Sequence, residues 1–134
     1  MKKILLDTNF LLIPYQFKVD IFTNIGKLAT FKYGLFVLDK SVEELKNIVV
    51  TQRGKDRDAA KIALKLIAIK DVKVINTKSS KRTDDLIIEL SSKDGYIVAT
   101  QDKDLKRRLI NHNVRVIVLK QKKVLAIIND KGFD

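Results

Sequence analysis

The chain has 134 residues with no cysteine and one histidine, His112, which excludes disulfides and thiolate metal sites and leaves little for imidazole chemistry. Lys and Arg number 27 against 16 Asp and Glu, a net charge of +11 that favours polyanionic partners, since neutralising phosphates releases condensed counterions. Length and a 46% apolar fraction suit one domain, 1–134, around one core, and no apolar run is long enough to span a bilayer, so the expectation is a soluble cytoplasmic protein without a membrane partner.

Lys3–Leu6 reads as the first strand, and Asp7-Thr8-Asn9 interrupts its apolar run too early for a signal peptide. Tyr15–Thr30 carries Phe17, Ile21, Phe22, Ile25 and Leu28 at helical spacing and reads as one helix after Pro14. Leu35–Leu38 is the second strand. Asp39 or Ser41 then caps a helix with Val42, Leu45 and Val49 on its apolar side, broken at Gln52-Arg53-Gly54-Lys55. Ala59–Ile69 forms a further helix and Val72–Ile75 the third strand, followed by a polar segment from Asn76 to Arg82. Thr83 resembles an N-cap for a helix to about Lys93, which Gly95 follows. Tyr96–Thr100 is an apolar strand of the kind found at the centre of a sheet covered on both faces. Asp102–Leu109 is a short basic helix, Val114–Leu119 the fifth strand, and Val124–Ile128 a small edge element. Strands alternating with helices predict an α/β fold with a parallel sheet and crossover helices.

Two acids follow the C-terminal ends of predicted parallel strands, Asp7 after the first and Asp102 two residues past Thr100. Open α/β sheets place ligands at those ends. Glu44 and Asp84 or Asp85 lie in the first turns of helices beginning near the same edge, so four acids from distant segments can converge there. Clustered carboxylates repel and cost desolvation, and a hard cation compensates them; Mg²⁺ or Mn²⁺ on oxygen ligands then suits phosphodiester hydrolysis. Each acid also has a structural alternative. Asp7 can cap a turn, Glu44 shares an exposed helical position with Glu43, Asp84 and Asp85 suit a helix dipole, and Asp102 and Asp104 both open a helix.

Ile4-Leu5-Leu6-Asp7-Thr8-Asn9, Ser41-Val42-Glu43-Glu44-Leu45, Thr83-Asp84-Asp85-Leu86-Ile87 and Ile97-Val98-Ala99-Thr100-Gln101-Asp102-Lys103-Asp104-Leu105-Lys106-Arg107-Arg108 together resemble, in order, the PIN-domain nucleases. The resemblance implies a single Rossmann-like PIN domain with a parallel sheet of about five strands in the order 3-2-1-4-5, helices on both faces, and a Mg²⁺- or Mn²⁺-dependent endoribonuclease. It implies Asp7, Glu44, Asp84 and Asp102 as the four catalytic acids, with Asp85 competing for the third place and Asp104 assisting as a metal ligand or capping its helix. Thr8, Asn9 and Thr100 are implied as polar neighbours that orient a ligand or water. The last motif looks most like the branch of ribosomal-RNA processing nucleases and their archaeal relatives, with toxin ribonucleases as the neighbouring branch. The implied partners are therefore RNA, a ribosomal precursor particle or an antitoxin protein, with a homodimer as a further expectation from the resemblance.

The acids repel an RNA backbone, so binding is expected from basic residues around them: Lys103, Lys106, Arg107 and Arg108, then Arg53, Lys55 and Arg57 about Gly54, and Lys78, Lys81 and Arg82 before the acidic helix start. Other readings are a non-catalytic RNA-binding scaffold, a DNA flap nuclease, and a response-regulator-like phosphate acceptor. Retention of all four acids argues against the first, the short chain against the second, and the missing acid pair after the first strand against the third.

Overall fold

The computed structural model describes residues 1–128; the last six residues of the 1–134 domain reading lie outside the described residues. The chain runs through β1 (Lys2–Leu6), α1 (Thr8–Leu11), α2 (Ile13–Phe17), α3 (Ile21–Leu28), β2 (Tyr33–Leu38), α4 (Asp39–Thr51) and α5 (Gly54–Ile69). It continues through β3 (Lys73–Ile75), α6 (Thr83–Asp94), β4 (Ile97–Ala99), α7 (Lys103–Asn111), β5 (Val116–Lys120) and β6 (Val124–Ile128).

One sheet carries the order β3-β2-β1-β4-β5-β6, in which β1 pairs in parallel with both β2 and β4. The order 3-2-1-4-5 is present, but the sheet has six strands rather than about five: the edge element Val124–Ile128 is a full strand, antiparallel to β5. Period-2 alternation divides the core between the faces. Ile4 and Leu6 join Val37, Ile97, Ala99 and Ile117 in a cluster with residues of α1, α2, α3, α4 and α5. Leu5 joins Leu38, Val98, Val116 and Val118 against α6 and α7. Because both faces are covered, every β1 position from Ile4 to Leu6 is at most 1% exposed, each such side chain contributing about 1.5–3 kcal/mol.

The single helix expected over Tyr15–Thr30 is two. Lys18 adopts a left-handed conformation that ends α2, and the Asp20 carboxylate accepts from Phe22 N and Thr23 N to start α3. α5 begins at Gly54, earlier than Ala59, its added first turn being polar and exposed. Neither helix-start assignment to a side-chain cap holds for α4 or α6. Leu38 and Arg82 occupy the N-cap positions without side-chain hydrogen bonds, and Asp39 and Thr83 are the first helical residues. Asp39 instead accepts from the hydroxyl and amide of Thr77, tying α4 to the segment after β3.

Candidate active site

The chain passes from β1 outward to β2 and β3, then returns to β4 on the other side of β1. The C-terminal ends of β1 and β4 therefore form the switch point of the sheet, where helices leave in opposite directions and open a crevice. Leu6 is in register with Ala99, and Asp7 N donates to Ala99 O at 2.9 Å, which sets Asp7 beside Thr100.

Asp7 is 6% exposed. Its Oδ1 accepts from Thr8 N at 2.9 Å, capping α1, and its Oδ2 accepts from the buried Thr100 hydroxyl at 2.7 Å. Burial pushes its pKa up from 3.8 to about 6; the Thr100 and Thr8 hydrogen bonds oppose that rise, and the nearby carboxylates of Asp84 and Glu44 add to it. The Thr8 hydroxyl donates to Glu44 Oε1 at 2.5 Å, fastening α4 to the end of β1. Thr100 Oγ1 in turn accepts from Asp102 N at 3.1 Å, and Asn9 Oδ1 accepts from Gln101 N at 3.0 Å, so the segment after β4 is held against the segment after β1.

Asp102 caps α7 with Oδ1, which accepts from Asp104 N at 2.9 Å and Leu105 N at 3.0 Å. Asp84, half-buried in the first turn of α6, is raised by burial and then by Asp102, while Arg108 and Arg82 pull it down. Its neighbour Asp85 behaves oppositely: Arg108 Nη2 donates to it at 2.8 Å and holds it below the ordinary range. Asp104 pairs with Arg107 at 3.3 Å and is exposed. The electrostatics thus link Asp7 with Glu44 and Asp84, and Asp84 with Asp102, whereas arginines engage Asp85 and Asp104.

The four linked acids offer only oxygen donors, and no ion pair reaches any of them among the described residues. That donor chemistry suits a hard divalent cation. Among the described residues no three acidic or histidine side chains stand together closely enough to hold one ion; Thr8 holds Glu44 and the α7 amides hold Asp102.

The expected basic residues are differently engaged. Arg107 and Arg108 are paired with Asp104 and Asp85, and Lys81 with Glu89 at 2.7 Å. Arg82 lines the hollow that also holds Glu44, Thr83 and Asp84. Lys103 and Lys106 lie on α7; Arg53, Lys55 and Arg57 are exposed around the α4–α5 turn, and Lys78 is exposed before α6. Lys40 and Asn47, absent from the sequence reading, line the crevice beside Glu44. Their signal was present in Lys40, Glu43, Glu44 and Asn47, which fall at i, i+3, i+4 and i+7. Gln101 was also missed; its Oε1 accepts from Leu119 N at 3.4 Å.

Residues 4–122 match the sequence model of the family described as PIN like domain. The chain belongs to the PIN-like domain family. Among its relatives, Ribonuclease VapC9 of Archaeoglobus fulgidus is 36% identical over 118 residues, covering 87% of this chain and 82% of the relative. Ribonuclease VapC4 of Methanocaldococcus jannaschii is 29% identical over 127 residues, covering 95% and 97%. The PIN-domain endonuclease Utp24 shares the fold with a TM-score of 0.76 at 22% identity, covering 95% of this chain and 91% of that one. A domain of a functionally unknown protein from Methanocaldococcus jannaschii follows at a TM-score of 0.59 and 16% identity, covering 90% and 92%. This PIN-like domain therefore has its carboxylates at the switch point of a fold it shares across nearly its whole length.

Proposed function

We propose that this PIN-like domain is a Mg²⁺- or Mn²⁺-dependent endoribonuclease whose acids are Asp7, Glu44, Asp84 and Asp102. The observation that carries the reading is Asp7: a buried carboxylate at the switch point, held by two hydrogen bonds and flanked by further acids rather than by a cation. An uncompensated buried charge is costly, and such a group is kept for chemistry more often than for stability. The names of two archaeal relatives, both ribonucleases, support RNA as the substrate.

The acids would hold the divalent ion in part directly and in part through its coordinated waters, and when bound it would supply Lewis-acid activation of water and stabilisation of charge developing on a phosphodiester. The chain's own residues prepare the site for it. Asp7 is ionised above about pH 6, with Thr100 and Thr8 fixing the directions of its two oxygens. Thr8 also orients Glu44, and Thr100, through Asp102 N, sets the start of α7. Asp102 spends Oδ1 on capping and keeps Oδ2 for a ligand. Asp84 is the third acid in preference to Asp85, whose charge Arg108 already neutralises.

The test is cleavage of a labelled structured-RNA pool by the wild type, Asp7→Asn and Asp102→Asn, each in chelator and in Mn²⁺ or Mg²⁺. Metal-dependent cleavage lost in both variants is the expected result. RNA bound but never cut under any divalent ion, or cut equally by the variants, would leave the scaffold reading in its place.

A further inference from the structure

We propose that Lys40 and Arg82 form a phosphate subsite for a single RNA strand, in a cleft that leads outward from the carboxylates between α4 and the start of α6; this rests on the ribonuclease reading. α4 presents two sides. Leu45 and Ile48 pack into the core cluster that holds β1, while Lys40, Glu43, Glu44 and Asn47 form a polar stripe along the helix. That stripe, with Lys81, Arg82 and Thr83, lines a cleft of about 350 Å³. A second hollow of about 280 Å³ is lined by Glu44, Arg82, Thr83 and Asp84. The two share Glu44, Arg82 and Thr83 and so form one passage from Asp84 out to Lys40.

Charge is sorted along this passage. Asp84 lines only the inner hollow, Glu44 and Arg82 line both, and Lys40 and Lys81 join Glu43 and Asn47 in the outer one. Lys81 is committed to Glu89. No ion pair or side-chain hydrogen bond engages Lys40 or Arg82 among the described residues. Arg82 acts at a distance on Asp84 and Asp85, and Lys40 on Asp39, but neither is held in an ion pair, and beside an amide, Asn47, and a hydroxyl, Thr83, they make a donor set for phosphate oxygens.

No aromatic side chain lines either hollow, so the passage offers no stacking platform and reads the backbone rather than the bases. Its size is near the lower end of ligand pockets, about 300–1,000 Å³, a scale that suits one strand. Asp84 at the inner end and Lys40 at the outer end, with Arg82 between them, orient that strand: a phosphate held by Lys40 and Arg82 anchors the chain while a neighbouring phosphate lies over the carboxylates.

The test compares wild type with Lys40→Ala/Arg82→Ala on end-labelled single-stranded RNAs of graded length in Mg²⁺, measuring kcat/KM and, at several salt concentrations, Kd. A loss of about 10- to 100-fold is expected, growing with oligonucleotide length and carried by KM more than kcat. The double variant should also show a log K against log salt slope shallower by about 1.4, at roughly 0.7 per phosphate contact on a single strand. Lys40→Arg/Arg82→Lys should recover most of the affinity. A loss independent of length, or intact binding in the double variant while cleavage persists, overturns the subsite and leaves the nuclease reading standing. If the wild type binds RNA through these residues but never cuts it, the subsite holds and the nuclease reading falls. Competition by polyglutamate as effective as by RNA of equal charge would assign the cleft to an acidic polypeptide and overturn the proposal.

Discussion

Asp7 serves two purposes that pull against each other. As the cap of α1 and the partner of Thr100 it is well bonded, yet its ionised form is desolvated and stands near Asp84 and Glu44. Its folded pKa of about 6 lies above the ordinary 3.8, so folding favours the protonated acid. Below pH 3.8 the carboxyl is neutral in both states and carries no penalty; the penalty grows as pH rises and is complete above about 6. In chelator, Asp7→Asn should therefore leave thermal stability near that of wild type at about pH 4 and exceed it at pH 7.5, by on the order of 3 kcal/mol. A difference in Tm that does not widen over this range would reject the argument. The positions of Asp7 and Asp102 at one edge of the sheet were legible in the sequence because each follows an apolar strand. The link from Thr8 to Glu44 and that from Thr100 to Asp7 were not, since their partners are 36 and 93 residues apart and only the sheet register brings them together. The proposed preference for Asp84 over Asp85 also rests on the fold, because it turns on Arg108, which lies on another helix.

Helix boundaries follow the same division between what periodicity reveals and what it hides. Phe17, Ile21, Phe22, Ile25 and Leu28 keep helical spacing across a break, because α2 and α3 both turn apolar sides toward one core. The break is decided locally by Lys18 in the left-handed region, at φ 56°, and by Asp20, whose Oδ1 takes two amides of α3 while Oδ2 accepts the Thr23 hydroxyl. Asp20→Ala should cost about 1 kcal/mol, read as a lowered urea midpoint at unchanged slope; no loss would show that packing alone holds α3. The first turn of α5 escaped notice because Lys55, Asp56 and Arg57 are all exposed and leave no apolar mark. The β5–β6 hairpin lacked the Asn-Gly signal of a tight turn. Gln121 and Lys122 take the left-handed conformation there instead, at φ 55° and 56°, with Lys123 N donating to Lys120 O at 3.0 Å.

Across the whole molecule, alternation of strands and helices was enough to indicate a parallel α/β sheet, and the strand order came through the family resemblance. The edge element Val124–Ile128 was legible, but its antiparallel pairing with β5 was not, since an apolar pentapeptide carries no direction. The placement of β1 between β2 and β4 has a further effect in time. Asp7 is synthesised before its hydroxyl partner Thr100, which is made 93 residues later, about 5–19 s at 5–20 residues per second. Until β4 is available, the strand bearing Asp7 lacks one neighbour and the segment carrying Asp102 does not exist. Ribosome-bound chains stalled before Ile97 should leave a labelled RNA uncut under conditions in which the released full-length protein degrades it. Threading β1 between an early and a late partner delays the arming of the enzyme, so the ribosome making it is exposed to no working nuclease while those 93 residues are added.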